Sequence, residues 1–172
     1  MAMTNSKTFK MSEPLNNDLE GKYLSFLLGD EEYGINILNI REIIGMMAIT
    51  AMPQSPDYVK GVINLRDKVI PILDLRRRFG MDATKQTERT CIIVTETGLA
   101  PERMMLTGIV VDAVSEVQNI RAADIEAPSA FSAELDDSYI LGMAKSNGAV
   151  KILLDIEAVL GVDKIAVAAG ID

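Results

Sequence analysis

The stretch Gly61–Leu75, GVINLRDKVIPILDL, decides the fold, because the chain repeats it in altered form at Gly142–Ile156, GMAKSNGAVKILLDI. Each matched residue lies 81 positions further along without a gap. The same spacing also matches Gly80 with Gly161. Chance similarity between apolar strands is the alternative explanation. Strand composition alone does not fix where glycine and aspartate stand, so their matched positions favour a duplicated unit.

A second pair of similar segments precedes the first. Gly34–Ile43 matches Gly108–Val117 at a spacing of 74 positions. The two spacings differ by seven residues, which a longer loop in one half would explain. The sequence therefore predicts two related units in one chain.

The first part of the chain predicts short strands separated by tight turns. Alternating apolar residues indicate a strand over Tyr23–Leu28, and the following Gly-Asp-Glu-Glu turn makes Tyr33–Ile37 its hairpin partner. The isoleucines of Ile37–Ile44 then have helical spacing, but β-branched residues dominate. We expect one helical turn that leads into a strand.

The repeated stretch contains further signals. Ser55-Pro56 predicts the start of a brief helix that Gly61 ends. Strands over Val62–Leu65 and Lys68–Leu73 should meet at the Arg66-Asp67 turn. Pro71 cannot donate to a β-ladder, so the second of these strands is expected at a sheet edge or a bulge.

Both repeats end in the same way. Asp74 and Asp155 are expected to cap short helices, and Gly80 and Gly161 to end them in a left-handed conformation. Asn147-Gly148 predicts a type I′ hairpin between strands over 139–145 and 149–154.

This pattern predicts a mostly β protein made of small antiparallel barrels or a sandwich, with a few short helices. Residues 1–20 are expected to form a flexible arm, residues 21–162 a single domain of two pseudo-repeated β-barrel subdomains, and residues 163–172 a tail. Neither unit has enough core to stand alone. We expect the units to share an apolar seam, and an exchange of strands between them stays open.

Composition excludes several classes of function. The 172 residues carry a net charge of −8, which disfavours binding to nucleic acid or to an anionic membrane surface. No apolar run reaches the ~20 residues of a membrane span, so no direct membrane insertion is expected. Histidine is absent and Cys91 is the only cysteine. We therefore expect no catalytic residue, no metal, no cofactor and a cytoplasmic location, with Cys91 buried in a strand.

Specific strings resemble a known family. The segment Leu28–Ile43, which begins LGDEEYGINIL, resembles the opening of the CheW family of chemotaxis coupling proteins. So does Tyr58–Arg76, whose most specific piece is Asn64-Leu65-Arg66 beside Val69-Ile70-Pro71-Ile72. The later segments Gly108–Val114 and Gly142–Asp155 complete a resemblance that covers residues 22 to about 161.

The resemblance implies two SH3-like five-stranded β-barrels packed together in a non-catalytic adaptor. Family members join the cytoplasmic tips of methyl-accepting chemoreceptors to the histidine kinase CheA, whose regulatory domain has the same fold. The implied partners are therefore the receptor tip and the regulatory domain of CheA. A coupling protein of a chemosensory-like pathway with another output, such as surface motility, is the alternative.

The resemblance also implies which residues meet partners. The family's receptor-facing surface surrounds the groove between the barrels and corresponds here to Ile40, Glu42, Asn64, Leu65, Arg66, Val111 and Val114. Gly61 matches a position at which a larger side chain would disturb kinase or receptor contact, and we assign it to kinase binding. Each of these has a plainer explanation: core packing for Ile40, an outward polar position for Glu42, and the end of a short helix for Gly61.

One departure from the family pattern concerns the hairpin tip. The family usually has glycine after Asn-Leu-Arg, and this chain has Asp67. Aspartate tolerates a left-handed backbone with a modest penalty, so the tip could be reshaped. The added carboxylate is expected to hold the guanidinium of Arg66 when no partner is bound.

A third alternative is a small barrel enzyme or ligand carrier that uses Asp74, Asp112 or Glu116. Such a protein would need a deep pocket with convergent polar groups and raised carboxylate pKa values.

Overall fold

The computed structural model describes residues 19–98, 104–128, 137–146 and 148–161. Its strands are β1 (Gly21–Leu28), β2 (Glu31–Asn36), β3 (Ile40–Gly45), β4 (Val59–Leu65), β5 (Lys68–Asp74), β6 (Cys91–Gly98), β7 (Met104–Val111), β8 (Ala113–Ile120), β9 (Ile125–Glu126), β10 (Ile140–Ser146) and β11 (Ala149–Leu154). The α-helices are α1 (Leu75–Arg78) and α2 (Ile156–Leu160), and 3-10 turns cover Ile37–Asn39, Ala122–Asp124 and Asp137–Tyr139. The predicted tail and all but two residues of the predicted arm lie outside the described residues.

The strands form two sheets, and the mostly β prediction is confirmed. One sheet, called sheet A, has the order β8-β1-β2-β11-β10-β9, and sheet B has the order β3-β6-β7-β5-β4. Within the described residues, the first and last strands of each sheet share no hydrogen-bond ladder, so a closed barrel is not found.

Each sheet takes strands from both halves of the sequence. The hairpin β1–β2 pairs with β8 and β11, which lie far along the chain, and β6–β7 pairs with β3 and β5. The chain passes from sheet A to sheet B through Ile37–Asn39 and returns through Asp112. The exchange of strands that the sequence left open is therefore present.

Backbone pairing repeats with the spacing found in the sequence. Gly34 of β2 pairs in parallel with Leu153 of β11, and Gly108 of β7 pairs in parallel with Ile72 of β5. A register shift after Val59 in β4 recurs 81 residues later in β10, between Ile140 and Gly142. The irregularities of the backbone thus recur with the same spacing as the repeat in the sequence.

Among the described residues, buried apolar side chains gather in three clusters. The largest lies between the sheets and draws on both, with Phe26 and Leu154 from sheet A and Leu73 and Ile109 from sheet B. Sheet A and sheet B each cover one smaller cluster of their own. The expected shared seam is therefore the central cluster.

Arg78 lies between equivalent parts of the two repeats. Its guanidinium carbon is 4.3 Å from the ring centroid of Tyr58 and 5.3 Å from that of Tyr139, which lies 81 positions later. Its Nε donates to the backbone oxygen of Val159 at 2.6 Å. The guanidinium thus ties α2 to the end of α1 across the seam.

The predicted helix caps are confirmed. The carboxylate of Asp74 accepts the backbone N–H of Arg76 at 3.1 Å, and that of Asp155 accepts the N–H of Ala158 at 3.3 Å. Gly161 ends α2 with φ of 57°. Both helices are short, with four residues in α1 and five in α2. No helix in the described ranges is long and apolar enough to cross a membrane.

Two smaller predictions end differently. Asn147 of the predicted type I′ turn lies outside the described residues, although the flanking strands pair up to Ser146 and Ala149. Cys91 begins β6, but it is only half-buried, and this burial raises the pKa of its thiol.

The predicted helix from Ser55-Pro56 to Gly61 is wrong. Pro56 begins a turn that the N–H of Val59 closes on its carbonyl at 3.0 Å, and the hydroxyl of Ser55 donates to Met52 instead of capping a helix. Gly61 lies inside β4 with φ of 146°, where a Cβ would overlap the carbonyl oxygen of Thr50. Its role is to admit that close backbone.

The prediction that Pro71 lies at a sheet edge or a bulge is also wrong, since β5 lies between β4 and β7 and Pro71 pairs in register with Val62. Its partner Val62 exchanges both backbone hydrogen bonds with Thr50, so Val62 and Pro71 form a pair without mutual hydrogen bonds. Parallel pairing with β7 starts one residue later, at Ile72. Proline is tolerated because neither neighbouring ladder needs its N–H.

We predict that Gly61→Ala lowers the free energy of unfolding by about 2–4 kcal/mol, because the methyl group meets the Thr50 carbonyl in a backbone conformation that disfavours side chains. The control is Gly45→Ala, since a Cβ at Gly45 has no neighbour within 4 Å among the described atoms. Urea unfolding measures both. Equal stability of the two variants would contradict the account of β4.

Candidate functional site

The tip of the β4–β5 hairpin is a two-residue turn with an unusual backbone. Arg66 and Asp67 have φ of 48° and 68°, the left-handed values of a type I′ turn, between the paired residues Leu65 and Lys68. The side-chain oxygen of Asn64 accepts the N–H of Asp67 at 3.1 Å. Asn64 therefore holds the turn while both turn side chains remain exposed.

A salt bridge joins this tip to the opposite side of sheet B. The guanidinium of Arg66 donates to the carboxylate of Glu42 on β3, and their side chains are 68% and 29% exposed. The expectation that Asp67 would hold Arg66 is therefore replaced by Glu42 as its partner. The salt bridge connects the first strand of sheet B to the hairpin formed by its last two strands.

The apolar members of the expected receptor surface lie deeper. Ile40 and Val114, which occupy equivalent repeat positions, are half-buried against the central cluster. Val111 is 1% exposed and belongs to that cluster, so its side chain offers no surface to a partner. The structure thus brings Glu42, Asn64, Leu65 and Arg66 together. Ile40, two residues before Glu42 on β3, packs against the central cluster.

Exposed apolar side chains also occur on the strands that carry the salt bridge and on the turn before β3, and the sequence alone did not single them out. Leu38 on the 3-10 turn before β3 is 88% exposed, Val69 opposite Asn64 is 64% exposed, and Ile43 beside Glu42 is 44% exposed. Alternation of apolar and polar residues alone assigns such residues to a core. Their exposure can be predicted only when the pairing partners of their strands are known. Exposed apolar side chains are a common feature of protein–protein interfaces.

The carboxylates considered for an enzyme have other partners. Asp112 accepts Nε and Nη2 of Arg76 at 2.9 and 2.6 Å and the N–H of Gly29 at 2.8 Å. The bonds from Arg76, with a smaller contribution from Gly29, lower the pKa of Asp112. Asp74 caps α1 and Glu116 is exposed on β8.

A cavity of about 60 Å³ lies beside Asp74, Arg76 and Asp112. The carboxylate-enzyme alternative requires raised pKa values, and the pKa of Asp112 moves in the opposite direction. No group of three metal-ligating side chains occurs within the residues that the structure describes.

Comparison with known proteins gives a consistent match. The model of the CheW-like domain matches residues 22–164. A chemotaxis protein CheW of Klebsiella aerogenes is 38% identical over 145 residues, which cover 84% of each chain, and one of Helicobacter pylori is 34% identical over 153 residues, 88% of each. The crystal structure of the scaffolding protein TtCheW from Thermoanaerobacter tengcongensis has a TM-score of 0.71 at 33% identity, covering 79% of this chain and 89% of that chain.

The type I′ turn leads to a prediction at Asp67. Replacement by glycine should leave stability unchanged or raise it by up to about 1 kcal/mol, whereas Asp67→Ala should lower it by about 1 kcal/mol, because alanine lacks both the freedom of glycine and the polar side chain of aspartate. Thermal unfolding of the two variants decides this. An alanine variant as stable as the glycine variant would refute the left-handed turn.

The Arg76–Asp112 pair predicts a pH dependence. Since the folded-state pKa of Asp112 is lowered from 3.8, its contribution is complete above that value and is lost as pH falls through the folded-state pKa. We expect Asp112→Asn to cost about 1–2 kcal/mol at pH 7 and progressively less below about pH 4. Urea unfolding of both proteins at pH 7 and below about pH 4 tests this. An equal loss of unfolding free energy at the two pH values would count against the Arg76–Asp112 pair.

Proposed function

The chain belongs to the CheW family, and from this premise we propose that it is a non-catalytic chemotaxis adaptor that couples the tips of chemoreceptors to the histidine kinase CheA. The match over residues 22–164 carries the proposal. The partly exposed Glu42–Arg66 salt bridge supports it, together with the exposed apolar side chains Ile43 and Val69 on the same strands.

We assign receptor binding to the exposed part of this surface. Arg66 can contact a partner directly because its guanidinium is mostly exposed while Glu42 sets its direction. Asn64 and Leu65 shape the turn, and Leu65 also covers the small cluster inside sheet B. Ile40, Val111 and Val114 would contribute indirectly. They pack in or against the central cluster and so fix the positions of β3, β7 and β8.

For Gly61 we propose an indirect effect on binding of the regulatory domain of CheA. A side chain at this position would push away the backbone of Thr50, which pairs with Val62. The segment between β3 and β4 would move as a consequence. A partner that binds this side of sheet B would then meet an altered surface.

We also propose that residues 21–162 form one domain of two SH3-like barrel subdomains, each built around one sheet. Two side-chain bridges support this architecture. Glu42 of β3 reaches Arg66 at the β4–β5 tip, and Gln118 of β8 donates to Ser146 at the β10–β11 tip at 2.9 Å. Side chains thus bridge β3 to the β4–β5 tip and β8 to the β10–β11 tip, between strands that share no ladder.

The receptor assignment predicts that Arg66→Glu remains folded and weakens binding to a receptor-tip fragment by at least about tenfold, because the new carboxylate faces Glu42 and the partner with the wrong charge. Binding to CheA should change less, since it is assigned elsewhere. Size exclusion of the purified chain with each partner separately measures both.

Lys145→Glu is the matched control, since it reverses a charge beside the β10–β11 tip, where Lys145 pairs with Glu126. It should leave receptor binding unchanged. The double variant Glu42→Arg/Arg66→Glu should restore the salt bridge but not receptor binding. Normal receptor binding by folded Arg66→Glu protein would defeat the assignment.

A further inference from the structure

Sheet A encloses a buried lysine. The side chain of Lys151 on β11 is 4% exposed, and its Nζ donates to Ser25 Oγ at 2.9 Å and to Gln118 Oε1. Gln118 in turn donates to Ser146, and Glu32 Oε2 lies 3.9 Å from Nζ. These side chains link β8 at one end of the sheet order to β10 and β11 near the other.

The equivalent place in sheet B is apolar throughout. Repeat spacings of 81 and 74 match Lys151 with Ile70, Ser146 with Leu65, Gln118 with Ile44 and Glu32 with Leu106. Ser25 corresponds to Val94, because they pair with the equivalent glycines Gly34 and Gly108. All five counterparts belong to the apolar cluster of sheet B: Ile44, Leu65, Ile70, Val94 and Leu106.

The polar side chains of sheet A and the apolar side chains of sheet B hold the hairpins β10–β11 and β4–β5 in different ways. Lifting the β4–β5 tip exposes apolar side chains to water, and that cost grows with the area exposed. Lifting the β10–β11 tip exchanges hydrogen bonds of Lys151 and Gln118 for hydrogen bonds to water, which leaves a small net cost. Hydration of a buried ammonium group even favours the lifted state.

We propose that the network of Ser25, Glu32, Gln118, Ser146 and Lys151 is a polar latch, which lets the β10–β11 hairpin open while its counterpart β4–β5 stays shut. The described hydrogen bonds close the latch in the folded state. The protein thus has one fixed end, which carries the Glu42–Arg66 salt bridge, and one end that opens by local unfolding. The inference does not depend on which partners bind.

Amide hydrogen exchange of the whole chain tests the latch. Peptides over residues 144–151 should exchange at least about tenfold faster than peptides over the equivalent residues 63–70. In Ser25→Val/Gln118→Ile/Lys151→Ile, which copies the residues of sheet B, exchange at 144–151 should slow towards that of 63–70. Exchange at 63–70 should not change.

Two single variants keep the test decisive if the triple variant fails to fold. Lys151→Met removes the donors and leaves Ser25 and Gln118 unsatisfied, so it should speed exchange at 144–151 alone. Ile70→Met is the matched control and should leave exchange at 63–70 within about twofold of the parent, since volume-conserving apolar changes are tolerated. Equal exchange of the two hairpins in the parent protein, or no slowing in a folded triple variant, would overturn the latch.

Discussion

The seam between the sheets is the constraint on which the rest of the structure depends. The chain crosses it through only three residues after β2 and through one residue, Asp112, after β7. Such short crossings place β3 and β8 in the sheet opposite to the strand before them. Each sheet must then be completed by strands from the other half, and its apolar back is buried only against its partner. Neither sheet can therefore form, with its apolar face buried, without the other.

Local features of the fold were predictable from the sequence because neighbouring residues determine them. A carboxylate before a short helix and a glycine after it act within one turn, so the ends of α1 and α2 follow from Asp74, Asp155, Gly80 and Gly161. The segment after Ser55 has the same local signals, but Thr50 pairs with Val62, and the chain makes only one turn from Pro56 before it enters β4. A partner twelve residues away outweighs the helix signal, and no local pattern reports it.

The candidate site was predictable in its parts but not in its connections. The turn residues and Glu42 stand out in the sequence, yet their salt bridge joins strands that share no ladder. Asp67 is closer to Arg66 along the chain, but the type I′ backbone leaves the guanidinium free to reach β3. Val111 shows the opposite limit, since period-two alternation does not tell which face of a strand in a two-sheet protein meets solvent.

An exact repeat would give this protein two equivalent ends, and the side chains remove that equivalence. Equivalent ends would compete for the same neighbour, because identical patches bind identical partners. Here the backbone keeps the repeat, down to its bulges, while Arg66 and Glu42 mark one end and the Lys151 network fills the other. The two ends of the protein are therefore chemically different. Because the pairing geometry depends on the backbone, the side chains at each end could diverge without loss of the seam.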